Sequence, residues 1–181
     1  MPDFAREVRE LQVALSDEFP AFRVAYKQDS LLHRIIGVLL RPFNSRYLSH
    51  YTTVLGATVW FPSRSWTEQV GDRKIYEILR HEAVHMRDAR RFPLVFQISY
   101  LLLPLPVVFT ARAWWELRAY SESLRVAFEL DGYISQAQVD EIVERFVGAD
   151  YLYMCPFPSL VQRLLCAQLP APPRAHQPYH S

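Results

Sequence analysis

From Phe92 to Ala111 the chain runs twenty residues, FPLVFQISYLLLPLPVVFTA, without one charged side chain. A stretch of that length and character must be buried against other protein, form the lip of an apolar cleft, or meet lipid, because water gives it no favourable alternative. Pro93, Pro104 and Pro106, with Gln97, speak against a simple membrane span. The readings that fit best are a packing segment and a cleft lip. A hairpin that bends at Pro104-Leu105-Pro106 and touches a membrane surface through residues 92–111 stays as the third.

Directly before this stretch stands Tyr76-Glu77-Ile78-Leu79-Arg80-His81-Glu82-Ala83-Val84-His85-Met86-Arg87-Asp88, which contains HEAVH. On a helix, His81 and His85 lie one turn apart on one face, so both imidazoles reach a single metal ion. Glu82 then stands beside the ion. Zinc bound in this way brings the pKa of its water towards neutrality, and a neighbouring carboxylate can take the proton as that water attacks a carbonyl. With six His and eleven Glu, a chain of this composition shows HExxH by chance about once in a hundred cases. A catalytic zinc needs a third protein ligand.

The continuation HExxHxxGxxH would require glycine at 88 and histidine at 91, and the chain has Asp88 and Arg91. A glutamate from a second helix is the other solution. Arg112-Ala113-Trp114-Trp115-Glu116-Leu117-Arg118-Ala119-Tyr120-Ser121-Glu122 offers Glu116 and Glu122, which point different ways on a helix. If either ligates, the two halves of the site cannot lie on opposite sides of a bilayer, and a single span over 92–111 is excluded.

HEAVH followed by Glu116-Leu117-Arg118-Ala119 resembles the glutamate zincins (gluzincins), whose thermolysin-like and CAAX-prenyl-protease-like members carry HExxH and then an ExxA-type helix. The resemblance covers these two short motifs and their order. It implies a zincin-like metallopeptidase in which His81, His85 and Glu116 bind Zn2+ and Glu82 is the general base. Those families usually place an acidic residue four positions after the ligand glutamate, where this chain has Tyr120. Asp88, on the same helical face as His81 and His85, can orient a histidine instead. Tyr120 is also a candidate donor to a developing oxyanion, beside Tyr153, Arg112 and Arg118.

The remaining pattern is α+β and mainly helical. Phe4, Val8, Leu11 and Leu15 mark an amphipathic helix, and Phe22 to Lys27 alternates as a strand. Asp29 or Ser30 caps a helix through Leu31, Leu32, Ile35, Ile36, Leu39 and Leu40, in which His33 is expected at the surface. Thr53 to Phe61 reads as a strand, either in the core or at a sheet edge where an extended peptide can pair beside the metal. Ser63 to Gly71 reads as a polar connection, with Asp72 starting the motif helix. Helices are expected over 111–130, 135–147 and 160–169.

We therefore expect one metallopeptidase-like domain over residues 1–168, with a small sheet next to the HExxH helix, and a proline-rich, disordered tail over 169–181. Twenty basic and nineteen acidic residues give no basic stripe for nucleic acid. Two cysteines form no disulfide framework, and charges at Asp3, Arg6 and Glu7 stand where a signal peptide carries its apolar run, so the expected compartment is the cytoplasm. The expected partner is a protein or peptide substrate. The alternative is a non-catalytic metal-binding protein, or one that binds a membrane or partner through residues 92–111.

Overall fold

Asp3 accepts a hydrogen bond from the Arg6 amide and starts α1, Phe4–Glu18, whose Val8 and Leu15 turn inward. The computed structural model to which this helix belongs describes residues 3–41, 47–101, 106–148 and 154–169. It is α+β, mainly helical with a small three-stranded sheet. The expected tail, from residue 170 onward, lies outside the described residues, as does Tyr153. The chain divides into two compact units, residues 1–102 and 103–181.

In the first unit α1 is followed by β1 (Arg23–Tyr26), a single 3-10 turn (Lys27–Asp29), α2 (Leu31–Leu40), β2 (Thr53–Leu55) and β3 (Thr58–Phe61). Then come α3 (Arg64–Arg91) and α4 (Pro93–Leu101). The strand order is β1-β3-β2, with β3 parallel to β1 and antiparallel to β2. The expected strand Thr53–Phe61 is thus a hairpin. Gly56 supplies the turn with φ +61°, a conformation that side chains with a Cβ rarely adopt. Its second half, β3, is the central strand, so of the two hairpin strands β2 has the edge position considered for peptide pairing.

Ser63 to Gly71 is also not a loop. Ser63 accepts from the Trp66 amide, residues 64–70 are helical, and the break falls at Gly71, with φ 78° and ψ 163°. Beyond that kink the helix places Ile75, Leu79, Ala83 and Met86 on one stripe, packed with Val8 and Leu15 of α1, with Phe19 just after it, and with Val59 and Phe61 of β3. Glu18 clamps the two helices at their ends: its carboxylate accepts from Arg87 at 2.7 and 2.9 Å and from Arg90 at 3.3 Å. These bonds hold the Glu18 carboxyl below its ordinary pKa.

His33 is a correction to the surface position expected of it. It is fully buried, with Nδ1 2.8 Å from the Tyr47 hydroxyl and its ring 4.5 Å from that of Trp60. Leu31, Leu32, Ile35, Val38 and Leu39 of α2 instead face outward. Spacing identifies which residues share a face and leaves open which way that face turns.

The start of the uncharged segment forms α4. Phe96 is buried, whereas Leu94, Val95 and Ile98 are exposed, so the segment is not wholly a packing element. No helix among the described residues is long and apolar enough to cross a membrane.

The second unit holds α5 (Pro106–Asp131), α6 (Gln136–Val147) and α7 (Pro158–Gln168). Helix α5 begins earlier than the expected 111. Gly132, at φ 76°, ends it, and Ser135 and Gln138 form a capping box that starts α6. Leu117, Tyr120 and Leu124 of α5 pack with Val139, Ile142 and Phe146 of α6 and Val161 and Leu165 of α7.

Candidate metal centre

Helix α3 has two working faces. One is the apolar stripe just described. Beside it, on residues spaced four and three apart, stand His81, His85 and Asp88. His81 is half-buried, while His85 and Asp88 are buried. The imidazole rings of His81 and His85 are 5.0 Å apart at 79°, the edge-on arrangement of two side chains one turn apart, and Phe96 of α4 covers His85 at 5.9 Å. Glu82 lies between this face and the apolar stripe, and is 8% exposed.

Glu82 has a neighbour in its own unit that the sequence did not announce. Lys27, in the turn after β1, is 0% exposed. Its ammonium donates to the carbonyls of Tyr47 at 3.0 Å and Tyr51 at 2.8 Å and lies 3.9 Å from the centre of the Tyr47 ring. Burial pulls the Lys27 pKa from an ordinary 10.5 down to about 7, and the negative charge of Glu82 works against that fall. Burial and the nearby Lys27 charge likewise hold the His33 pKa low. A buried amine therefore stands in the field of the carboxylate expected to act as general base. One signal was available. Lys27 and Lys74 are the only lysines among twenty basic residues, so composition bias does not account for Lys27.

In α5, Glu116 is 2% exposed, next to the buried Trp115 and Leu117. Glu122 lies on another face of the helix and pairs with Arg125 at 2.9 Å. Tyr120 belongs to the core of its unit. Its ring meets Phe146 edge-on at 5.7 Å, and its hydroxyl accepts from Arg145 at 3.5 Å. Arg112 and Arg118, the other donors considered for an oxyanion, are half-buried on the same helix.

Among the described residues one group of His, Cys, Asp and Glu could hold a metal ion: His81, His85 and Glu116, each offering one ligand atom, all within 4.8 Å of one another. Glu122 and Asp88 are not in that group. Ligand atoms around a tetrahedral zinc stand about 3.4 Å apart. Two imidazoles and one carboxylate are also donors that suit zinc and leave a fourth position open. Exposed acidic clusters are common without a metal, but here two of the three residues are buried.

No protein-family model, no curated protein and no solved structure matches the chain.

Proposed function

We propose that this protein is a zinc-dependent hydrolase of the metallopeptidase type, with His81, His85 and Glu116 as ligands and Glu82 as general base. The observation that carries the reading is the His81, His85 and Glu116 group, with ligand atoms within 4.8 Å, on the spacing HExxH requires. Zinc held there would supply Lewis acidity to a carbonyl and to the attacking water. The chain's own contribution is proton handling and orientation. Glu82 takes a proton from the water as its oxygen bonds to the carbonyl carbon, then delivers a proton to the amine as the C–N bond breaks. Lys27 sets the electrostatic surroundings in which Glu82 does this. Asp88, on the histidine face, is proposed to orient an imidazole, and Tyr120, whose hydroxyl accepts from Arg145 and keeps its own proton, to donate to the oxyanion.

The substrate class in this reading is a protein or peptide, and the location is the cytoplasm, which suits the free thiols of Cys155 and Cys166. The test is metal content and hydrolysis measured together. Wild type and Glu82→Gln should carry about one zinc per chain, His85→Ala and Glu116→Ala far less. Glu82→Gln should cut peptide hydrolysis by about 100-fold or more with its zinc retained. Near-zero zinc in all four proteins would remove the reading. Zinc bound as expected, with hydrolysis unaffected by Glu82→Gln, would remove Glu82 from its role.

A further inference from the structure

Helix α2 presents a wholly aliphatic face to solvent. Leu31, Leu32, Ile35, Val38 and Leu39 are 71, 56, 51, 70 and 69% exposed, and their spacing places them on one side of the helix. Packing holds the helix in this orientation. Its inward side carries the buried His33, and Gly37, where an added Cβ would come within 2.5 Å of the Leu48 side chain. Only glycine lets Leu48 approach so closely, so the helix cannot turn its leucines inward without losing that fit. A soluble monomer rarely leaves such a patch open to water.

Charge identifies the partner. No Asp or Glu occurs from Ser30 through Thr67, a stretch that carries Arg34, Arg41, Arg46 and Arg64. Arg34 and Arg41 are exposed and seven residues apart, and so share one flank of the aliphatic face. Helix α4 repeats the composition, with Leu94, Val95 and Ile98 at 72, 60 and 50% exposure and the exposed Arg91 just before it. No Asp or Glu occurs there from Ala89 through Trp115. Protein interfaces draw their binding energy mainly from Trp, Tyr and Arg anchors, with Leu and Val under-represented. An aliphatic face flanked by arginines suits acyl chains below an anionic headgroup layer.

We propose that the first unit binds the surface of an anionic phospholipid membrane through the exposed face of α2, with the arginines of its flank at the headgroups. The inference stands apart from the metal reading and does not depend on it.

The test is co-sedimentation of the full chain with vesicles of phosphatidylcholine alone and of phosphatidylcholine mixed with phosphatidylserine. Wild type should bind the mixed vesicles at least about tenfold more tightly than the neutral ones. Ile35→Glu with Leu39→Glu, both at exposed positions, should weaken binding by roughly 30-fold or more with an unchanged melting temperature. Arg34→Gln with Arg41→Gln, which leaves the aliphatic face intact, should weaken binding to mixed vesicles by about tenfold. The proposal is overturned if wild type binds neither vesicle or both equally, or if the variants bind as wild type does. It is also overturned if light scattering finds a concentration-dependent dimer that the Glu variants dissociate while no vesicle binding occurs. That result would assign the face to a second copy of the chain.

Discussion

Lys27 shows how much one buried side chain can demand of its surroundings. Its ammonium has exchanged water for two backbone carbonyls, an aromatic face and the field of Glu82. Between pH of about 7 and its ordinary 10.5 the folded chain has released the Lys27 proton while the unfolded chain keeps it. The unfolded state therefore binds more protons in that window, and the contribution of Lys27 to stability rises with pH. Below it the lysine is charged in both states and the burial cost is constant. Urea unfolding at pH 7 and 9 should show stability rising in wild type and a flatter response in Lys27→Met. An equal rise in both would show that Lys27 is not the group responsible. This residue was legible only as an oddity of composition, because burial depends on where Tyr47 and Tyr51 bring their carbonyls.

At the scale of elements, local chemistry explains starts and stops. Ser135 with Gln138 starts α6, and Gly148, whose N–H bonds the Glu144 carbonyl, closes it. Gly71 is different, because the pattern there marks a boundary and the structure makes it a kink within α3. With φ 78° and ψ 163° it occupies a region open essentially only to glycine, yet a Cβ there meets nothing within 4 Å. Gly71→Ala should therefore cost about 1–3 kcal/mol from backbone conformation alone. Chemical denaturation measures it, and a neutral substitution would mean that residues 64–70 re-pack without strain. Leu79 tests the apolar stripe of the same helix. Fully buried between α1 and the sheet, it should cost about 2–5 kcal/mol on truncation to Ala.

For the whole molecule the proposed zinc would link stability to function. An ion that binds the folded chain and not the unfolded one stabilises it by about 2.7 kcal/mol at a hundred times its Kd. Thermal unfolding should therefore move upward with added zinc and back with a chelator in wild type and Glu82→Gln, and respond little in His85→Ala. A shift of equal size in His85→Ala would place the ion elsewhere. By itself the sequence determined the α+β, mainly helical character, most helix positions, and the pairing of His81 with His85 on one face of α3. These follow from periodicity and caps, which are local. Tertiary structure decided what the local pattern leaves open: that β3 pairs parallel to β1 in the centre of the sheet, and that α2 turns His33 inward and Leu31, Leu32 and Leu39 out. It also decided that Lys27 is buried beside the motif helix. Each of these depends on which distant side chains compete for the same interior, and spacing along the chain carries no record of that competition. The uncharged residues 92–111 show both halves of the matter. Their composition required an apolar neighbour, and only the exposure of Leu94, Val95 and Ile98 revealed that part of the segment does not find it within its own fold.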